Sequence, residues 1–184
     1  MFRTDKITHG YLPTYLRIAS EIGIAGRVCE IGVAGGGSLE MWQSLFPHGI
    51  VVGVDNKSYA DGGLLVKIVL GEAPAYSGIY WPDGTVRVVA EQDDPTLPDK
   101  LKETASEFDL IVDDASHDGE LTKRTWELLW PMVAPGRWYV VEDWMEVSMH
   151  PTIVSFLWKL LDKESDVESI EYRYGMAILK KRRL

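Results

Sequence analysis

The sequence predicts an α/β fold in which a mostly parallel sheet with crossover helices ends in an antiparallel hairpin. Short β-branched runs alternate with segments of helical period up to residue 142, which is the pattern of a parallel sheet. Two further runs, at 167–172 and 174–180, are separated only by Arg173. Strands joined by so short a connection can pair only antiparallel.

Five runs have the length of buried strands and are predicted to be parallel. These runs are Arg27–Ile31, Ile50–Asp55, Val86–Ala90, Phe108–Asp113 and Trp138–Glu142. Helices are predicted at 38–46, with Ser38 as the N-cap, near 96–106, at 120–130 and at 151–163. A parallel sheet with one terminal antiparallel hairpin is the Rossmann-like topology of class I S-adenosylmethionine (SAM) methyltransferases, and it differs from a purely parallel dinucleotide fold.

The length of 184 residues fits one domain, predicted to cover residues 1–184. Residues 56–85 are rich in glycine and aromatic residues and exceed an ordinary connection, so we interpret them as a lid or insertion.

Composition and charge exclude several classes of function. The net charge of −9 argues against nucleic acid as a partner, because a polyanion requires a basic face. No run approaches the length of a membrane span, and the first residues lack the apolar core of a secretory signal. The single cysteine, Cys29, lies in an apolar run and is expected to be buried. These features together predict a cytoplasmic protein.

A glycine-rich segment follows the first predicted strand. Glycines there let a ligand approach the backbone closely, but Ala34 replaces the middle glycine of the dinucleotide fingerprint. Glu30, just before Gly32, suits a SAM pocket better than a dehydrogenase. Asp55 ends the second strand, where a carboxylate can accept from both ribose hydroxyls or can cap a turn. Gln92 is positioned to contact adenine, or belongs to a turn before Pro95.

Acidic residues follow the fourth and fifth predicted strands, whose carboxyl ends face the ligand crevice. Asp114, Glu142 and Asp143 would repel one another without a cation, and oxygen ligands favour Mg²⁺ or Mn²⁺. His117 could take a proton from an alcohol polarised by the metal. Taken singly, Asp114 could be an N-cap and His117 a capping residue. Asp113 is expected to point into the fold and is left out of the metal set.

Several motifs together resemble the metal-dependent macrolide-sugar O-methyltransferases, and the resemblance covers roughly residues 4–180. The motifs are Thr4-Asp-Lys-Ile-Thr-His-Gly-Tyr-Leu-Pro13, Glu30-Ile-Gly-Val-Ala-Gly-Gly-Gly-Ser-Leu-Glu-Met-Trp42, Phe46-Pro47, Val52-Gly-Val-Asp55, Asp113-Asp-Ala-Ser-His117 and Val141-Glu-Asp143. The sequence departs from the family at Ala115, Arg137 and Glu91-Gln92, which leaves the adenine contacts open.

The resemblance implies roles for individual residues. It assigns Mg²⁺ to Asp114, Glu142 and Asp143, and it makes His117 the general base. It also implies SAM contacts from a second set: Glu30, Gly32, Ser38, Asp55 and Asp114. Residues 8–11 would lie over the cofactor or the substrate, although Tyr11 and Tyr15 could equally be packing residues of a helix.

The expected function is SAM- and Mg²⁺-dependent methylation of a sugar hydroxyl on a glycosylated natural product or glycolipid. A catechol-type O-methyltransferase and a non-catalytic nucleotide-binding protein are the alternatives. An NAD dehydrogenase is disfavoured by Ala34 and the terminal hairpin. The small chain leaves little wall around a hydroxylated acceptor, so the lid or a neighbouring subunit of a homo-oligomer is expected to complete that site.

Overall fold

A computed structural model describes residues 2, 4–56, 82–161 and 165–183 of the chain. Its strands are β1 (Arg27–Ile31), β2 (Ile50–Asp55), β3 (Val86–Val89), β4 (Phe108–Asp113), β5 (Val133–Val141), β6 (Val167–Arg173) and β7 (Met176–Lys181). They form one sheet in the order β3-β2-β1-β4-β5-β7-β6.

The helices described are α1 (Leu12–Ile22), α2 (Gly37–Leu45), α3 (Leu97–Lys102), α4 (Gly119–Leu129) and α5 (His150–Lys159), with short 3-10 helices at Asp5–Ile7 and Trp130–Met132. Helix α1 ends at Ile22 and is followed by Gly23, whose φ of 89° lies in the region that favours glycine. The Asp118 side chain accepts from the first backbone N–H groups of α4 and so caps that helix.

The predicted class I methyltransferase topology is confirmed. Strands β1 to β5 pair in parallel, and β7 pairs antiparallel with both β5 and β6. Strand β5 begins at Val133, five residues before the predicted start. Val133 is buried and pairs with Phe108, so the strand continues through Pro135-Gly136 with an irregular register.

Two apolar layers cover the two faces of the sheet. Helices α1 and α2 pack on one face, and α3, α4 and α5 pack on the other. Alternation along β1 sends Val28 to the first layer and Cys29 to the second. Cys29 is fully buried, as predicted, and burial raises the pKa of its thiol, which therefore stays protonated.

Helix α2 begins one residue earlier than predicted, after the left-handed Gly36. Ser38 therefore lies inside the helix, and its prediction as the N-cap is wrong. The predicted lid, 56–85, lies mostly in 57–81, outside the described residues, so the lid and the single domain 1–184 stay predictions. In the part of the chain described, no helix has the length and apolar character needed to cross a membrane.

Strand order reverses around β1, which lies between β2 and β4. In open α/β sheets, ligands bind outside the carboxyl ends of the strands at such a reversal. The loops after β1, β2, β4 and β5 therefore form the candidate site.

Candidate active site

A cavity of about 370 Å³ opens at the carboxyl ends of β1 to β4. Four residues predicted to bind cofactor line it: Gly32, Asp55, Gln92 and Asp114. A smaller cavity of about 120 Å³ shares Gly32 and Asp114 with it and extends to Lys6 and Ser38. The structure thus places five of the six predicted cofactor residues along these two adjoining cavities, whereas Glu30 lines neither of them.

Gly32 joins the loop after β1 to the loop after β4. Its φ is +83°, and a Cβ at this position would lie 2.2 Å from the carbonyl oxygen of Asp114. Any side chain would push the two loops apart and distort the floor of the cavity. The glycine is therefore required for close approach of protein backbone, in addition to any approach of a ligand.

Asp55 holds the glycine-rich loop from the end of β2. Its Oδ2 accepts from the backbone N–H groups of Val33 at 2.9 Å and Ala34 at 3.2 Å, and its Oδ1 accepts from Asn56 at 2.8 Å. The carboxylate also lines the cavity. Asp55 therefore caps the turn, and carboxylate oxygens have further lone pairs available to ligand hydroxyls. The two alternatives left open by the sequence are compatible.

Gln92 connects three elements at the far end of the cavity. Its Nε2 donates to Thr125 Oγ1 at 2.9 Å, and its Oε1 accepts from the backbone N–H of Ser116 at 3.1 Å. The side chain is thereby fixed between the end of β3, the loop after β4 and helix α4. Its contact with adenine stays a prediction.

Glu30 lies in β1 and is fully buried. Ser38 and Trp42, both on α2, donate to its Oε2, and the Lys6 ammonium lies 3.0 Å from its Oε1. Burial raises the pKa of Glu30, and the Lys6 charge opposes that rise. Glu30 and Ser38 thus anchor α2 beneath the glycine-rich loop, as supports of the loop.

Lys6 is the functional residue that the sequence analysis missed. Only 1% of its surface is exposed, and its Nζ lies 2.7 Å from Asp114 Oδ2 and 2.8 Å from Glu142 Oε1, in addition to Glu30. Burial favours the neutral amine, but the three carboxylates outweigh it and raise the pKa of Lys6. The feature of the sequence that could have identified Lys6 was its place in the motif that begins Thr4-Asp-Lys6, which is part of the resemblance to the O-methyltransferases.

Glu142 faces the interior from the end of β5. Its Oε1 accepts from Tyr15 as well as from Lys6. Burial raises the pKa of Glu142 to about 8 in spite of the Lys6 charge. Asp114 behaves in the opposite way, since the Lys6 charge and a hydrogen bond with His117 outweigh its burial and lower its pKa.

An outer cluster consists of Asp114, His117 and Asp143, whose ligand atoms lie within 4.8 Å of one another. His117 Nε2 lies 3.3 Å from Asp114 Oδ1 and 3.5 Å from Asp143 Oδ2. Both His117 and Asp143 have a φ of +52°, an uncommon conformation for residues with a side chain. The loops after β4 and β5 are thus bent to aim these groups at one point.

Two further residues surround the outer cluster. Tyr11 is buried and donates to Asp143 Oδ1, and Glu146 lies 3.2 Å from His117 Nδ1. Tyr15, on α1, and Tyr11, just before it, pack in the core, and they also donate to Glu142 and Asp143. That residues 8–11 lie over the cofactor or the substrate stays a prediction. The hydrogen bond to Asp114 raises the pKa of His117 to about 9, supported by Asp143 and Glu146 and opposed by burial.

Asp113 is excluded from the site, as predicted. It is 2% exposed and accepts from the Tyr139 hydroxyl at 3.3 Å inside the core. Burial and the neighbouring Asp114 charge raise the pKa of Asp113 to about 7. A carboxyl group in this position is unable to reach the outer cluster.

No family model matches the chain. It is 33% identical to mycinamicin VI 2''-O-methyltransferase of Micromonospora griseorubida over 126 residues, which are 64% of this chain and 27% of the relative. It is also 33% identical to 8-demethyl-8-alpha-L-rhamnosyl tetracenomycin-C 2'-O-methyltransferase of Streptomyces olivaceus. That match extends over 153 residues, which are 77% of this chain and 35% of the relative.

The predicted resemblance is confirmed. The chain is similar in sequence to sugar O-methyltransferases, and the matches span 27–35% of the length of these two curated relatives. A solved structure of MycE methyltransferase from the mycinamycin biosynthetic pathway, in complex with Mg, SAH and mycinamycin VI, matches with a TM-score of 0.70 at 24% identity. That match covers 93% of this chain and 49% of MycE, and it establishes the shared fold.

Proposed function

We propose that this chain is a SAM- and Mg²⁺-dependent O-methyltransferase that methylates a sugar hydroxyl of a glycosylated small molecule. The observation that carries the proposal is the continuity of two features at one sheet edge. Asp114 both lines the 370 Å³ cavity and belongs to the outer acidic cluster. A cofactor in the cavity would therefore have its reactive end beside the cation and the imidazole.

The cavity fits a nucleoside cofactor by volume and by chemistry. Small-molecule sites in proteins have volumes of about 300–1,000 Å³. Asp55 offers carboxylate oxygens where a ribose would lie, and Gln92 also lines the cavity. Lys6 and Ser38 line the adjoining cavity, where the amino-acid part of SAM would extend. Relatives named as methyltransferases and a fold neighbour solved with SAH support this assignment.

The outer cluster fits a hard divalent cation. Asp114 and Asp143 supply carboxylate oxygens on two loops, and Mg²⁺ commonly binds to one or two carboxylates while keeping several waters. Glu142 stays a proposed third ligand, because it follows strand β5 directly, as Asp143 does. In this structure its carboxylate accepts from Lys6 and Tyr15. The Mg in the MycE complex supports this choice of metal, and Mn²⁺ has the same ligand preference.

Methyl transfer requires the acceptor oxygen to lie in line with the methyl–sulfur bond of SAM, which breaks as the new oxygen–methyl bond forms. A cation held by the outer cluster would polarise the acceptor hydroxyl. We assign the acceptance of the hydroxyl proton to His117 Nε2. In the metal-free protein, Asp114 and Asp143 face this nitrogen at 3.3 Å and 3.5 Å, and the raised pKa of about 9 keeps the imidazole protonated. A cation bound to the same carboxylates would withdraw them from the imidazole, lower its pKa and free Nε2 to accept a proton. Asp114 and Asp143 orient that imidazole, and the left-handed backbone of His117 fixes its approach. Alignment of the two reactants supplies most of the remaining rate enhancement.

Acceptor profiling tests this function. The protein would be incubated with SAM, Mg²⁺ and matched panels of deoxysugar glycosides and vicinal phenols, and release of S-adenosylhomocysteine would be measured by mass spectrometry. We expect glycosides to be methylated in preference. Preferred turnover of vicinal phenols would instead establish the catechol-type alternative, and binding of SAM with turnover of neither panel would favour a non-catalytic nucleotide-binding protein.

A further inference from the structure

The Lys6 ammonium is an unusual component for a site expected to hold a divalent cation. It is nearly fully buried and lies within 3.0 Å of three carboxylates, of which Asp114 also belongs to the outer cluster. Lys6 comes from the 3-10 helix at Asp5–Ile7, 108 residues from Asp114 and 136 residues from Glu142 in sequence. The charge therefore reaches the site only when the N-terminal segment has folded against the sheet.

Asp114 is shared between Lys6 and the outer cluster. Its Oδ2 binds Lys6 at 2.7 Å, whereas its Oδ1 faces His117 Nε2 at 3.3 Å in the outer cluster. One side of the carboxylate is thus neutralised internally, and the other side remains directed at the proposed metal position. A fixed positive charge so close to a metal ligand repels any further cation, and burial reduces the screening of that repulsion.

We propose that Lys6 is a resident counter-cation whose fixed charge lowers the affinity of the acidic cluster for a divalent ion. This inference rests on the proposed function, because it concerns the metal site of that function. Lys6 acts through Asp114 and Glu142, so it is a positioning residue and takes no part in the transfer itself. Its charge makes divalent binding reversible rather than structural.

Lys6→Met tests the inference, because methionine fills a similar volume without the charge. Binding of Mn²⁺ would be titrated by the electron paramagnetic resonance signal of the free ion, with wild type and Lys102→Met as references. Lys102 pairs with Asp99 on the surface, 3.0 Å apart, and supplies a control for loss of a lysine charge. We expect Lys6→Met to bind Mn²⁺ roughly tenfold or more tightly than wild type, and Lys102→Met to match wild type.

A second pair of variants keeps the test valid if Lys6→Met fails to fold. Glu30→Gln removes one charged partner of Lys6 while retaining one acceptor oxygen for both Ser38 and Trp42. In Glu30→Gln/Lys6→Met, the net charge of the buried groups equals that of the wild type. The step from the single to the double variant removes the ammonium alone. It should tighten Mn²⁺ binding by a similar factor.

The outcomes are distinct. Tighter binding on removal of the ammonium supports the inference, since loss of a merely structural residue would leave or weaken the metal site. Unchanged or weaker binding overturns it while leaving the proposed function intact. Absence of Mn²⁺ binding in wild type as well as in the variants overturns both the inference and the metal dependence of the proposed function.

Discussion

The glycine-loop side and the acidic side of the same sheet edge are built on different principles. Around Asp55, a single carboxylate binds backbone N–H groups of a neighbouring loop and faces an open cavity. Around Asp114, several ionised groups lie together, and their charges are compensated by Lys6 and by hydroxyl groups. The first side is a preformed receptor, whereas the second is an electrostatic balance that an added cation would alter.

Replacement of His117 gives the largest expected effect and acts on the acidic side alone. His117→Asn tolerates the left-handed backbone, so the loop should keep its shape. Loss of the proton acceptor should lower kcat by roughly 10²–10⁴-fold, while binding of S-adenosylhomocysteine by calorimetry stays unchanged. The exposed His48→Asn is the matched control. Full activity in His117→Asn would eliminate this residue as the base.

Asp143→Asn separates the metal from the cofactor. Asparagine is isosteric and accepts the φ of +52°, so only the charge is lost. We expect Mg²⁺ affinity to fall at least about tenfold, by analogy with losses in metal sites, with little change in affinity for S-adenosylhomocysteine in EDTA. Asp99→Asn, at an exposed position, is the control. Retention of wild-type Mg²⁺ affinity would remove Asp143 from the ligand set.

Asp55→Asn is the corresponding test of the glycine-loop side. Loss of charged hydrogen bonds to a ribose should weaken binding of S-adenosylhomocysteine by roughly tenfold or more, since such bonds contribute about 1.5–3 kcal/mol each. Mg²⁺ affinity should remain at the wild-type value, because Asp55 lies outside the outer cluster. Calorimetric titrations with each ligand would measure both. Equal loss of both affinities would contradict the separation of the two sides.

The pH dependence of the stability of the metal-free protein also tests the account of the acidic side. The pKa values of Asp113, Glu142 and His117 are raised from 3.8, 4.5 and 6.5 to about 7, 8 and 9. Each group binds its proton more tightly when folded, so its stabilising contribution is present below the unfolded pKa. That contribution is lost as the pH rises through the folded pKa.

Urea unfolding in EDTA should therefore show stability falling between pH 4 and 9. Asp113→Asn should flatten the part of the fall between about pH 4 and 7. The lowered pKa of Asp114 acts below this window. A wild-type profile that rises with pH would contradict the account of the acidic side.

Much of the glycine-loop side could be predicted from local sequence. The periodicity of β1 and β2 located Gly32 and Asp55 at strand ends, and the continuous apolar run of β4 placed Asp113 in the core. The prediction of Ser38 as an N-cap was wrong. The left-handed Gly36 starts α2 one residue early, and the serine hydroxyl is therefore free to donate to Glu30.

The acidic side could be predicted only in part. Asp114, His117 and Asp143 follow strands, so their meeting was foreseeable from topology. Lys6 was missed because a lysine in a short N-terminal segment is usually a solvated residue. Its burial depends on partners more than 100 residues away, and such tertiary contacts leave no periodic pattern in the sequence.

Thermal unfolding with ligands is the most direct measurement of the central claim. The wild-type protein would be melted with S-adenosylhomocysteine or with NAD, each in Mg²⁺ and in EDTA. A ligand at about 100 times its Kd adds about 2.7 kcal/mol, which corresponds to a rise in Tm of roughly 5–10 °C for a chain of this size. We expect that rise with S-adenosylhomocysteine alone, increased by Mg²⁺. Stabilisation by NAD, or by neither ligand, would contradict the account.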